Sequence, residues 1–371
     1  MLIFLGIILF VLLIVVHEFG HFIAAKRNGV DVEEFGIGFP PKLKTIAKKN
    51  GTEYTLNWLP LGGFVKLKGE HDDATEKGSY GASSMKAKLK IIVAGVFMNL
   101  VVAYLLVLGL AIFGLPKLNL QDLPFYNKQQ FTIKSDQHTT KSVIKVQFVV
   151  QDSPAERAGI KSQDDILEIN GEPMRSVDAV KNAGEQNLNK EVTMKIRHDG
   201  QIEEKSLKLN DSEKAAQQGA IGVVPGLYET MRYTWSAPIV AGGVVGQYAE
   251  VTFKGLGYTL GNLFTGHGQE AKDSVGGPVA TVDAIVNSSE QGINNLILLI
   301  ALISLSLAIM NILPIPALDG GRLFLTLFYT YILKKKLTKE VEERVHGWGM
   351  LALLGLIVVI SFFDIQRIIG R

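Results

Sequence analysis

His17, Glu18 and His21 stand in the spacing H-E-x-x-H, as His17-Glu18-Phe19-Gly20-His21. Residues four apart share one face of an α-helix, so two imidazoles there can grip one metal ion with Glu18 beside it. Zinc suits two imidazoles and one carboxylate, and keeps a fourth position for water. Such a site acidifies the water, and Glu18 can take its proton and later hand it to a leaving amine. The chain has no cysteine, which excludes thiolate-bound zinc, thiol catalysis and disulfides, so any metal is held by His, Asp or Glu. A five-residue motif also arises by chance, and its polar residues could simply end an apolar helix. Its depth argues for function: about nine residues, or roughly 13 Å of helix, separate His17 from Lys26. An ionisable cluster that far inside an apolar segment is costly and marks a site.

The elements that would position this motif are membrane spans. Hydrophobic residues make up 47% of 371 residues, with a net charge of +2, which suits a membrane protein and not a nucleic-acid binder. Four stretches reach the roughly 20 apolar residues that cross a bilayer: Leu2–Ala25, Ile91–Leu115, Ile293–Leu313 and Gly347–Phe363. The first reads as a retained helix and not a cleaved signal, because no Lys or Arg precedes it and a polar motif follows directly. Positive charge gathers between spans one and two (Lys26, Arg27, Lys42, Lys44, Lys48, Lys49, Lys86, Lys88, Lys90) and between spans three and four (Arg322, Lys334, Lys335, Lys336, Lys339). Loops of this kind stay cytoplasmic, which puts both termini and the region between spans two and three outside. Trp235–Phe253 is fairly apolar, but it is rich in Gly and holds Pro238 and Glu250. It reads as an interfacial, partly helical segment.

With spans one and three running in the same direction, the inner end of span three can supply the missing carboxylate. It reads Asn311-Ile312-Leu313-Pro314-Ile315-Pro316-Ala317-Leu318-Asp319-Gly320-Gly321. The prolines break the helix and the glycines permit a tight turn, so Asp319 is expected on irregular backbone lining a cavity. Alone, Asp319-Gly320-Gly321 would pass for an ordinary turn. Between spans two and three the chain turns polar. Ser142–Val146 and Glu191–Ile196 alternate as strands do. Ser153–Ile160 reads as a short helix with Ser153 as N-cap, Pro154 in its first turn and Glu156 three residues on. Asp164–Asn170 reads as a strand entering an Asn-Gly turn at Gly171. This is a folded domain. His71, His198, His267 and His346 lack ligand spacing and are expected at surfaces or interfaces.

Together, HEFGH in span one, NILPIPALDGG after span three and the domain between spans two and three resemble the site-2 protease family of intramembrane zinc metalloproteases. The likeness is to the bacterial RseP/RasP-type enzymes of regulated intramembrane proteolysis and covers nearly the whole chain. It implies Zn2+ as cofactor, His17, His21 and Asp319 as its ligands, and Glu18 as catalytic acid/base. It also implies a catalytic role for Asn311, whose amide could hold substrate backbone or a developing oxyanion, or simply bond a neighbouring helix. Tyr54–Leu67 looks like the family's membrane-associated β-hairpin, with Gly62, Gly63, Phe64 and Val65 as the edge an unwound substrate would pair with. Ser153–Gly171 resembles a circularly permuted PDZ domain. By that comparison the Gly219-Ala220-Ile221-Gly222-Val223 loop, with Gly219, Ile221 and Gly222, would bind a chain's terminal carboxylate. A domain that only excludes bulky proteins is the alternative. Ala94–Asn99 departs from the family's usual Ala-Gly-Pro start, and Gly276–Ala280 also looks like a family segment.

The expectation is a polytopic α-helical membrane protein with four transmembrane helices, a membrane-associated β-hairpin and an inserted extracytoplasmic PDZ-like α+β domain. Residues 1–118 hold spans one and two with the hairpin, 119–226 the PDZ-like domain, 227–292 an interfacial amphipathic segment, and 293–371 spans three and four. The expected function is cleavage of single-pass transmembrane substrates, such as pre-trimmed anti-sigma factors or remnant signal peptides. It would take place in the bacterial cytoplasmic membrane, with the active site near the cytoplasmic side and no nucleic-acid partner. Two alternatives remain. A non-catalytic membrane PDZ adaptor predicts decayed catalytic residues, and all four are intact. A transporter with a midplane site predicts an inverted repeat, and none is visible.

Overall fold

A computed structural model describes residues 2–71, 74–198, 200–265, 276–335 and 337–369. His267 and Lys336 lie outside them. Among the described residues, four helices are long and apolar enough to cross a membrane: α1 (Leu2–Arg27), α2 (Met85–Phe113), and two later ones introduced below. The chain divides into two compact units, one of Met1–Gly109, Leu120–Phe131 and Ala241–Arg371, the other of Leu110–Asn119 and Thr132–Val240.

In the first unit, α1 is followed by β1 (Val32–Lys49) and β2 (Thr52–Leu67). Residues 54–67 therefore supply one strand and not a whole hairpin. The reversal falls at Asn50-Gly51, whose φ angles of 51° and 77° suit a tight turn of positive-φ residues. Both strands are long and bent. Gly36 pairs with both Thr55 and Phe64, and Ile37 with both Leu56 and Gly63. The start of β1 thus lies between two runs of β2, and residues 63–67 form an outer run. Phe19 and Phe22 of α1 pack on Phe35 and Tyr54, fastening the hairpin to the helix that carries the HExxH motif.

Glycines set the distance between helices. A Cβ at Gly20 would lie 2.5 Å from the Ala94 carbonyl oxygen, so α1 and α2 meet backbone to backbone at the centre of the motif. A Cβ at Gly6 would lie 2.6 Å from Ile285 Cγ2. There α1 packs on α7 (Pro278–Glu290) and α8 (Ile293–Ile312), around buried Leu13, Leu296 and Ile300. Short α9 (Asp319–Leu327) follows, then α10 (Lys339–Ile369); α8 and α10 complete the four apolar helices. Asp319 opens α9, with Leu318 as N-cap. It is thus held on a helix's first turn, where the backbone dipole favours a carboxylate, and irregular backbone ends at Leu318. The segment expected at Trp235–Phe253 is a continuous helix, α6 (Ala237–Phe264).

The second unit is built on a sheet of order β3-β9-β4-β5-β7-β8, with β6 on β5. Its strands are β3 (Leu115–Pro116), β4 (His138–Val149), β5 (Asp165–Ile169), β6 (Glu172–Pro173), β7 (Glu191–His198), β8 (Gln201–Lys208) and β9 (Val223–Arg232). Ile144, Ile166, Met194 and Ile196 project into a core closed by Val180 of α4 (Val177–Gln186). Helix α3 (Pro154–Arg157) is capped as its sequence implies, the Ser153 hydroxyl accepting from the Glu156 N–H. The sheet runs past residue 226 to Arg232, because β9 pairs with β4 along its length and with β3 at Thr230 and Met231. Residues 120–131 belong to the first unit.

Buried Asp136 joins the end of β9 to the start of α6. It accepts hydrogen bonds from the backbone N–H and hydroxyl of both Thr234 and Ser236. Burial opposes ionisation, but these four donors outweigh it and hold the carboxyl well below its ordinary 3.8. A depressed folded-state value contributes stability that is complete above about pH 4 and is lost as pH falls toward that value. Asp136→Asn turns an amide N–H toward these donors. It is expected to lower the thermal midpoint at pH 7 and to differ less from the parent at pH 3. Equal midpoints at pH 7 would contradict this role.

Candidate metal centre and active site

Helix periodicity puts His17 and His21 one turn apart on α1, and both are buried. Their Nε2 atoms are 3.2 Å apart, and Asp319 Oδ2 lies 3.1 Å from His17 Nε2 and 3.2 Å from His21 Nε2. Among the described residues this is the one group of three such side chains able to hold a metal ion. The residues fit the ion on two counts. The near-equilateral triangle matches the edge of a tetrahedron whose centre is roughly 2.0 Å from each corner, the zinc–imidazole and zinc–carboxylate distance. Asp319 Oδ2 is also buried and accepts no hydrogen bond, which is costly unless a cation completes it.

The turn before Asp319 is held by its own backbone. Leu318 N–H donates to Ile315 O, and Gly321 N–H to Leu318 O. The two glycines are required by proximity: a Cβ at Gly320 would lie 2.1 Å from Leu313 O, and one at Gly321 2.2 Å from Ile315 O. The LDGG run is therefore a compact support for the carboxylate.

Three residues with no assigned role in the sequence shape the histidines. For Nε2 to offer a lone pair, Nδ1 must carry the proton and find an acceptor. His21 Nδ1 has one in Ile91 O at 2.7 Å. His17 Nδ1 lies 3.2 Å from the side-chain amide of Asn99, which is fully buried and whose Oδ1 has no other partner. Amide oxygen and nitrogen are equivalent in shape, and the orientation consistent with metal-binding Nε2 has Oδ1 accepting from His17. The Ser304 hydroxyl donates to Asn99 O and ties α8 to the same point. Gly95 leaves the space: a Cβ there would lie 2.4 Å from His21 Nε2 and 2.6 Å from His17 Nε2. The departure from Ala-Gly-Pro leaves this glycine intact. A polar Asn amid an apolar span was the available signal for Asn99. Gly95 carried none.

Glu18 makes no hydrogen bond or ion pair within the described residues. Gly63 passes against it, since a Cβ there would lie 3.4 Å from Glu18 Cγ. The outer run of β2, with Gly63, Phe64 and Val65, is thus brought to the motif. Asn311 is half-buried near the end of α8, and its amide has no hydrogen-bond partner among the described residues. His71 and His198 pair with Glu342 and Asp164. His346 is half-buried and accepts from the Ala317 N–H, an interfacial contact between α10 and the turn before Asp319.

In the second unit, Gly219 and Gly222 have φ angles of 76° and 83°, and the carbonyls of Gly219, Ala220, Ile221 and Gly222 accept bonds from the unit's interior. The N–H groups of Ala220, Ile221 and Gly222 donate to nothing among the described residues. The Ile221 side chain is buried in the core, so only its backbone is available to a ligand. The loop borders a cavity of about 510 Å³ that also touches Val180, Gly184 and Leu188.

The sequence profile of peptidase family M50 matches residues 5–356. A Clostridium perfringens protein assigned by its name to the zinc metalloproteases is 32% identical over 367 residues, covering 98% of each chain. The regulator of sigma-W protease RasP of Bacillus subtilis is 28% identical over 446 residues, covering 98% of this chain and 97% of that protein. Zinc metalloprotease RasP of Geobacillus kaustophilus is 29% identical over 421 residues, 97% of each chain. With its apolar helices and a His-His-Asp cluster fitted to zinc, the chain belongs to peptidase family M50, the site-2 proteases, and is a membrane zinc metalloprotease.

Proposed function

We propose that this protease cuts within the transmembrane segments of single-pass membrane proteins, as a step of regulated intramembrane proteolysis. The observation that carries the reading is that His17 and His21 lie within the apolar helix α1 and meet Asp319 there, so a substrate would have to be cut at membrane depth. Pre-trimmed anti-sigma factors and remnant signal peptides are the substrates of choice, and the relative named as a regulator of sigma-W supports the first class.

His17, His21 and Asp319 would hold the zinc ion. When bound there, zinc supplies Lewis-acid polarisation and acidifies water. Glu18, without a partner among the described residues, takes the proton of the attacking water and delivers it to the leaving amine. The outer run of β2 offers its edge to the unwound substrate, which keeps the scissile bond extended beside Glu18. The Asn311 amide steadies substrate backbone or the developing oxyanion.

The unit around residues 119–226 acts as an extracytoplasmic PDZ-like filter, and the Gly219–Gly222 loop receives the carboxylate left by a first cleavage. Support comes from the loop's unpaired N–H groups, a concave donor set suited to an anion. The lysine-rich loops between spans support an active site near the cytoplasmic face of the bacterial plasma membrane. Helix α6 (Ala237–Phe264) lies along the bilayer surface.

Glu18→Gln is expected to retain zinc and to lower cleavage of a pre-trimmed substrate by about 10²- to 10⁴-fold. Full activity in the folded variant rules out this role. Metal analysis of purified protein should give about one zinc per chain, lost in His17→Ala and in Asp319→Asn. Zinc retained by either removes that residue from the ligand set. Gly95→Ala puts a methyl where the ligands converge and should strip zinc while leaving helix content unchanged. Stoichiometric zinc in that variant would show that the ion sits elsewhere.

A further inference from the structure

Helix α10 contributes no metal ligand, yet one of its faces closes on the backbone that presents Asp319. Glu342, His346 and Gly349 fall at i, i+4 and i+7 of α10, a single stripe. Each meets the segment Pro316–Arg322. Glu342 is buried, and its Oε1 pairs with Arg322 Nε at 3.0 Å. Arg322 lies over the Tyr80 ring at 4.5 Å and also pairs with Glu70 at 3.2 Å. Gly349 lets the helix press on Pro316, where a Cβ would lie 2.3 Å from Pro316 Cβ. Between these two contacts, His346 Nδ1 accepts the Ala317 N–H at 3.1 Å.

That hydrogen bond falls at an unusual backbone position. Ala317 has φ of +77°, a region L-residues with a Cβ seldom occupy unless surrounding structure holds them there. Ala317 is two residues before Asp319 and directly follows Pro316, which has no N–H of its own. The Ala317 N–H is therefore the donor by which a neighbour can grip this turn from the α10 side. Because Nδ1 accepts, Nε2 carries the proton. It is buried without a partner among the described residues, and the His346 side chain borders a cavity of about 250 Å³ lined also by Asp319, Arg322 and Glu342.

We propose that His346 is a positioning residue: its imidazole fixes Ala317 in the left-handed conformation and thereby sets where the Asp319 carboxylate meets the two histidines. The inference rests on the reading of Asp319 as a metal ligand. Partners that orient a metal ligand affect affinity by about 10- to 100-fold, and His346 reaches Asp319 through the Ala317–Leu318 backbone.

The test is zinc affinity of the full-length protein in detergent by chelator competition, together with the visible spectrum of the Co2+-substituted protein. His346→Asn keeps an acceptor at the Nδ1 position and should bind zinc within about twofold of the parent, a bound set by its preserved hydrogen bond. His346→Leu removes the acceptor and should weaken zinc at least about tenfold and shift the Co2+ bands. His346→Ala is measured alongside, so that one acceptor-free variant is read even if the other fails to fold. Parent-like affinity in either acceptor-free variant overturns the proposal, as does His346→Asn binding as weakly as they do. Asp319→Asn is the control: if it keeps zinc, the ligand assignment itself fails; if it loses zinc while His346→Leu does not, only the positioning role fails.

Discussion

The structure depends on the meeting of three polar atoms, two imidazole nitrogens and one carboxylate oxygen, inside a bundle of otherwise apolar helices. Without a cation, three acceptors about 3.2 Å apart repel one another and leave the buried carboxylate unsatisfied. With one, the same crowding becomes a coordination shell. That requirement explains why the surrounding residues are so constrained. Gly20 brings α2 within reach, Gly95 keeps the ligand face open, and Gly320 and Gly321 allow the carboxylate-bearing turn to close on itself.

The same logic extends outward by hydrogen bonds. Ile91 and Asn99 orient the two rings from α2, Ser304 couples Asn99 to α8, and the face of α10 closes on the turn before Asp319. One helix, α1, and the short helical start at Asp319 carry the three side chains, and α2, α8 and α10 hold the groups around them. The hairpin is attached to this assembly through Phe19 and Phe22. An edge that could receive an extended chain is thereby carried on the same helix as Glu18.

Much of this was legible in the sequence where a signal repeats or has a fixed spacing. The apolar spans, the four-residue interval of His17 and His21, and the Ser153 cap each follow from one physical rule, and the structure has them where the rule puts them. Longer-range features were harder. The hairpin reversal is at Asn50-Gly51, before the residues 54–67 expected to hold the hairpin, and Gly62 and Gly63 serve close approach. Strand β9 overruns the expected boundary at residue 226 because its partners β4 and β3, not its own composition, decide its length. Asp319 was recognised, but as part of an irregular loop, since nothing local shows that a helix begins there. Gly95, Asn99 and His346 act through neighbours from other helices, so their meaning exists only once those helices are packed.

The most direct test of the account is zinc K-edge X-ray absorption of the full-length protein in detergent. The expected spectrum shows four light-atom neighbours near about 2.0 Å, with outer-shell scattering from two imidazoles and none from sulfur. Scattering from one imidazole or none, or a spectrum unchanged by Asp319→Asn, would contradict a site built from His17, His21 and Asp319.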